Sequence, residues 1–120
     1  MEKLDAPLPK DLSEELHRFW WDIFEGEGDL PPEVFLGSEV EHSQNTIYLE
    51  RDGDRIAGTC GTTTSRTVPT LAGFGEMATD PGLRGSGIGT ALARRAVEDF
   101  RSGGGQAFFL GTHNPDAARI

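Results

Sequence analysis

The densest chemistry in this chain lies in thirteen residues, DPGLRGSGIGTAL, at positions 80–92. A proline turn and Arg84 lead into Gly85, Gly87 and Gly89, and then into residues that favour a helix. The first amides of a helix lack intrahelical partners, and the helix dipole adds partial positive charge at the same end. Glycines strip side chains from that approach, so an anion such as a phosphate can come close to the backbone.

Three phosphate-holding designs compete for this pattern. A Walker-type loop needs Lys and then Ser or Thr after its last glycine; here Thr90 and Ala91 follow Gly89, which excludes it. A dinucleotide fingerprint needs G-x-G-x-x-G, yet counting from Gly85 puts Thr90 at the third glycine and counting from Gly87 puts Leu92 there. The next apolar strand also ends in Leu110, Gly111 and Thr112, without the acid that fingerprint requires. The third design is R/Q-x-x-G-x-G/A, and Arg84, Gly87 and Gly89 match it.

Periodicity predicts the elements that must hold this loop. DLSEELHRFWWDIF (11–24) sets Leu12, Leu16, Phe19, Trp20 and Ile23 on one helical face, with Asp11 and Glu14 as a capping box. EGEGDLPP ends that helix, and PPEVFLGSEV (31–40) reads as a short second one. NTIYLERDGDRIAGTCGTTTS (45–65) reads as two strands joined through Asp52 and Gly53, and a third strand runs over about 71–79. After the glycine loop, Ile88, Ala91, Leu92, Ala96 and Phe100 recur at helical spacing until SGGG at 102–105. QAFFLGT is a short apolar strand, and HNPDAARI opens something helical. The expected order is helix, hairpin, strand, helix, strand and unfinished helix, a mixed α/β domain with its sheet covered on both faces.

The match to the third design extends outward in register. Met77, Thr79 and Pro81 take the places of an L-x-V-x-P segment just before the arginine, and Asn114, Ala117 and Ile120 have the spacing of N-x-x-A-x-x-[LI]-Y. On these residues the chain resembles the GNAT family of N-acetyltransferases over about 71–120, while residues 1–45 are similar to it only in outline. The resemblance implies one GNAT-like domain over 1–120, with a mostly antiparallel mixed sheet flanked by helices and a splayed strand pair after the donor-binding strand. It also implies acetyl-coenzyme A as the donor and an amine of a small molecule, peptide or protein as the acceptor.

Roles for particular residues follow from that resemblance. Backbone groups of Met77 and Thr79 would pair with the pantetheine arm, and the amides of residues 85–90, Ile88 among them, would hold the pyrophosphate. Arg84 adds a charge or acts through its backbone, the hydroxyls of Ser86 and Thr90 lie within reach, and Asn114 opens the following helix. Acetylating an amine requires a neutral nitrogen, a polarised thioester carbonyl and a proton for the departing thiolate. An amide near Met77 and Ala78 would polarise the carbonyl. Glu76 is the nearest acid and the candidate base, directly or through water, with His113 as the alternative. Trp21 and Phe24, at the end of the first helix, are candidates for the acceptor pocket, whereas Trp20 falls on the buried stripe. The family commonly has a tyrosine just after the position of Ile120, so the chain is expected to be a fragment that lacks the rest of the last helix and two strands. An unfinished sheet favours association, such as a homodimer. A non-catalytic acyl-coenzyme A sensor is the competing class, and an unrelated nucleotide-phosphate-binding domain a third.

Composition bounds these readings. A chain of 120 residues with 36% hydrophobic and 26% charged side chains has room for one core. Its single cysteine, Cys60, forbids an internal disulfide, reads as an inert buried thiol and fits a reducing cytoplasm. The N-terminus MEKLDAPLPKD lacks the basic start and apolar run of a signal peptide, and no window approaches a membrane span. Thirteen acids against three basic residues in positions 1–50 would repel nucleic acid and favour cationic partners, if they are more than a solvated surface. His17 and His42 have no metal-ligand spacing with His113 or Cys60, so no metal is expected.

Overall fold

The computed structural model describes residues 1–24, 35–38 and 40–110. Along them run β1 (Glu2–Asp5), α1 (Lys10–Ile23), β2 (Ser43–Asp52), β3 (Arg55–Ser65), β4 (Leu71–Thr79), a 3-10 turn (Pro81–Leu83), α2 (Ile88–Ser102) and β5 (Ala107–Leu110). The strands lie side by side in chain order, antiparallel from β1 to β4. β5 is parallel to β4, because α2 carries the chain back across the sheet between them. Half of the short helix expected over 31–40, residues 31–34 and 39, falls outside the described residues.

Local chemistry moves several boundaries from where the sequence alone put them. β1 is an addition: EKLD has one apolar side chain and no usable period, but its backbone pairs with β2 from Glu2 opposite Leu49 to Asp5 opposite Thr46. The hairpin turn is Gly53 and Asp54, one position later than expected, because Asp52 pairs with Arg55. Of the two turn residues only Gly53 has a positive φ, 63°, the type II′ arrangement with glycine first. Pro9 is the N-cap of α1, its carbonyl accepting from the Ser13 amide at 3.0 Å, and neither Asp11 nor Glu14 makes a capping bond. The expected capping box is thus absent, since the helix starts before it and leaves Asp11 inside the first turn, where its charge suits the dipole.

A core lies on each face of the sheet. On one face α1 buries Leu16 and Trp20 against Leu8, Phe35, Ile47 and Leu49, with Leu12, Phe19 and Ile23 packed at the margin. On the other, α2 buries Leu92 and Ala96 against Tyr48 and Cys60. Ala93 is buried and Ala91 exposed, a one-position rotation of the expected stripe that brings the helix onto the sheet along Leu92, Ala93 and Ala96. Arg51 fastens the α1 face to the edge: its guanidinium donates to both carboxylate oxygens of Glu15 at 3.0 Å and approaches Glu2 at 3.5 Å. That fork holds the Glu15 carboxyl below its ordinary range. On the other face, the Tyr48 hydroxyl donates to Asp99 at 2.9 Å, tying β2 to α2.

Gly58 sets how closely α2 can sit on β3. A Cβ added there would stand 2.6 Å from Cγ2 of Ile88, the first residue of the helix, and 3.4 Å from Cδ1 of Leu92. The helix start is thereby seated next to the end of β4, where Gly58 pairs with Thr79. Gly58→Ala is expected to destabilise the fold by about 1–3 kcal/mol through overpacking, read as a lowered midpoint in thermal unfolding.

Cys60 is fully buried between sheet and helix, and burial pushes its thiol up from 9.0 to about 12. A thiol whose pKa rises on folding stabilises the native state below its unfolded value, and that contribution is lost as pH rises. Unfolding free energy is therefore expected to fall between pH 9.0 and about 12, less steeply in Cys60→Ala, while the native thiol resists a disulfide reagent until the protein unfolds.

Candidate active site

β3 and β4 pair regularly from Gly58 opposite Thr79 to Thr59 opposite Ala78, and the register then jumps to Gly61 opposite Gly75. Cys60 consequently faces two residues, Glu76 and Met77, which makes a β-bulge in β4. Glu76 takes a left-handed φ of 50°, a conformation that costs a non-glycine residue about 1–2 kcal/mol. Strand alternation counted from Phe74, which packs on the α2 face, would send Glu76 to that same face. The bulge reverses this. A Cβ placed on Gly61 would stand 3.2 Å from Glu76 Cβ and 3.3 Å from Ile47 Cδ1, which puts the glutamate on the α1 face. Met77 then packs on the α2 face and Ala78 on the α1 face, the alternation having slipped by one.

Glu76 is 8% exposed. It borders a cavity of about 40 Å³ whose walls include Phe35, Asn45, Ile47 and Thr63. The space suits a water molecule, and Asn45 and Thr63, hydrogen-bonded to each other at 2.7 Å, add polar groups to its wall. Behind the bulge, Thr59 donates its hydroxyl proton to the Glu76 carbonyl at 2.7 Å and accepts the Trp20 indole N–H at 2.8 Å.

The end of β4 and the glycine loop continue this site along the chain. Asp80 donates its amide to the Ala57 carbonyl on β3 at 2.8 Å. By two-residue alternation, the backbone groups of Thr79 and Met77 face the opposite edge of β4, towards β5. The described pairing with β5 stops at Phe74 opposite Leu110, so from Gly75 onward that edge has no strand partner among the described residues, although the Thr79 carbonyl meets Nε of Arg84 at 3.4 Å. Asp80 then accepts the Gly82 amide at 2.8 Å and shapes the 3-10 turn.

Gly85 and Gly87 follow with φ of 85° and 87°, and Gly87 is the N-cap of α2. Open space lies where a side chain on either would project. The amides of Gly87, Ile88, Gly89 and Thr90 make no hydrogen bond among the described residues, and no acid lies in the first turn to compete for them. A loop of this kind fits a diphosphate: it offers converging donors, the positive end of a 15-residue helix and no side chain in the way.

The other expected site residues are placed as follows. Arg84 is exposed and its Nε reaches the Thr79 carbonyl at 3.4 Å, linking loop to strand. The Ser86 hydroxyl donates to the Leu83 carbonyl at 2.6 Å, so its proton is taken up within the turn, while Thr90 lies exposed. Glu76, Met77, Ala78 and Thr79 are consecutive on β4 and run through the turn into residues 84–90. On α1, Phe24 packs against the core cluster that holds Trp20, whereas Trp21 is 63% exposed. His113 and Asn114 lie outside the described residues. Thr59, Asn45 and Phe35 are neighbours of Glu76 that sequence reasoning missed. Gly75 inside a strand, directly before Glu76, was the available signal, since such a glycine often marks a bulge.

Known proteins give this arrangement a context. The family model described as "Acetyltransferase (GNAT) family" matches residues 13–120. An acetyltransferase of the GNAT family from Staphylococcus aureus superposes with a TM-score of 0.67 at 18% identity, over 92% of this chain and 73% of that one. A Trypanosoma brucei acetyltransferase gives 0.63 at 17%, over 94% and 84%. An aminoglycoside 6'-N-acetyltransferase complexed with coenzyme A gives 0.68 at 21%, over 93% of this chain and 62% of that enzyme. No curated protein matches by sequence. At these identities the superpositions establish the fold; the match over 13–120 goes further, and by it the chain belongs to the GNAT family of acetyltransferases.

Proposed function

We propose that this domain moves an acetyl group from acetyl-coenzyme A directly to an amine, with Glu76 as the general base. The observation that carries this is the bulge: one backbone irregularity turns the only carboxylate of β4 into a small polar cavity, and the same strand continues into the anion loop. Membership of an acetyltransferase family supports the reaction class. A structural neighbour complexed with coenzyme A supports the donor.

In this reading the amides of residues 87–90 hold the diphosphate of the donor, and the edge at Met77 and Thr79, without a strand partner among the described residues, pairs with its pantetheine arm as an added strand would. An amide beside the bulge polarises the thioester carbonyl. Amines are mostly protonated at neutral pH, so Glu76, through a water in the cavity, takes a proton from the ammonium group and frees the lone pair. The nitrogen–carbon bond forms, the carbon–sulfur bond breaks, and the second proton lost by nitrogen balances the one gained by sulfur. The Trp21 and Phe24 end of α1 is the acceptor side.

Calorimetry with acetyl-coenzyme A, coenzyme A and ATP, together with thiol release over a panel of amines, tests the assignment. Binding of acetyl-coenzyme A with amine-dependent thiol release is expected. ATP binding without coenzyme A binding overturns the reading, and coenzyme A binding without thiol release marks a sensor instead. Gly87→Val should weaken coenzyme A binding at least about tenfold, because a β-branched residue is strained at φ of 87° and its side chain enters the anion's approach; the same strain should lower stability by about 1–3 kcal/mol, leaving the protein folded for the binding measurement. Glu76→Gln should lower the rate at neutral pH by roughly 100-fold and recover part of it at high pH, where the amine is already neutral. A pH profile superimposable on wild type would clear Glu76 of this role.

A further inference from the structure

Two buried side chains stand in a line behind Glu76. The Trp20 indole N–H donates to Thr59 Oγ1 at 2.8 Å, and the Thr59 hydroxyl donates to the Glu76 carbonyl at 2.7 Å. Trp20 is 4% exposed and Thr59 fully buried, so water does not compete for these bonds. The polarity of the line has one solution: an indole only donates and a carbonyl only accepts, so the threonine must receive from the first and give its single proton to the second. The line also runs across three elements, from α1, through β3, to the bulge of β4.

Resting on the acetyl-transfer reading, we propose that Thr59, backed by Trp20, is a positioning residue that holds the bulge in its working geometry. The Glu76 carbonyl belongs to the peptide unit that also contains the Met77 N–H. In a planar trans peptide these two groups point in opposite directions. Fixing the carbonyl on Thr59 therefore aims the Met77 amide away from the α1 core, towards the edge of β4 that has no strand partner among the described residues, where the thioester carbonyl would lie. The same anchor keeps Glu76 at φ of 50° and its side chain on the cavity side, instead of in an extended conformation directed at the α2 face. One hydroxyl thus orients both the carbonyl-polarising amide and the base. Thr59 touches neither substrate in this scheme, and its effect passes through Glu76 and Met77.

Thr59→Val keeps the shape and removes both hydrogen bonds, Thr59→Ser restores the hydroxyl, and Trp20→Phe removes only the outer donor. For Thr59→Val the expected result is a kcat lowered about 10- to 100-fold, with KM for acetyl-coenzyme A and calorimetric coenzyme A affinity little changed. Thr59→Ser should recover most of the rate, and Trp20→Phe should show a smaller loss in the same direction. The coupling between the Glu76 amide and α protons in solution NMR reports its φ without reference to activity; it should shift from the left-handed towards the extended value in Thr59→Val and return in Thr59→Ser. Unchanged coupling and kcat in a folded Thr59→Val protein overturn the proposal. If Thr59→Val does not fold, the same two measurements on Trp20→Phe decide, and no change in either overturns it. If wild type acetylates no amine, the functional reading falls and the coupling alone judges the positioning role.

Discussion

The hydrogen bond from Thr59 to the Glu76 carbonyl is the interaction on which the site's geometry turns. A left-handed glutamate inside a strand is unfavourable by itself, and its carbonyl no longer meets the regular ladder of β3. A buried hydroxyl takes up that carbonyl and so lets the irregularity persist in the middle of the sheet. Trp20 closes the arrangement from above and brings the buried one of α1's two tryptophans into fixed contact with β3. Strain at one residue, satisfaction by a neighbour and core packing are thus a single cooperative feature.

The rest of the fold keeps that feature beside the glycine loop. Gly58 lets Ile88 lie against β3, so the start of α2 cannot drift from the end of β4. Asp80 bends the intervening turn by accepting the Gly82 amide, and Arg84 reaches back to Thr79. On the opposite side of the sheet, Arg51 and Glu15 hold α1 to β2. Anion loop, buried carboxylate and the edge of β4 that has no strand partner among the described residues therefore sit on one scaffold, with each group placed by backbone geometry more than by a flexible side chain.

Much of this was legible in the chain because the relevant signals are local. Gly85, Gly87 and Gly89 before a helical period define the loop, and Leu12, Leu16, Trp20 and Ile23 define the buried stripe of α1. What was not legible depends on partners distant in sequence. EKLD becomes a strand only because β2 offers it an edge, and the capping box is lost because Pro9 starts the helix first. The direction of Glu76 was undecidable from period-two counting, since a bulge inserts one residue and reverses the count. Thr59 carries no local mark of its role: it is one threonine among several in β3, singled out by an indole 39 positions away.

The glycine loop has a last consequence in its titration behaviour. Its positive end comes from peptide dipoles and unpaired amides, with no lysine or histidine from 80 to 92. Such groups neither gain nor lose protons over the range in which proteins stay folded. Whatever anion the loop holds, the part of the attraction that comes from the helix end is the same in mild acid as in mild alkali. A change of affinity with pH in that interval would have to arise from the ligand's own ionisation or from side chains around the loop, and not from the amides that hold the anion.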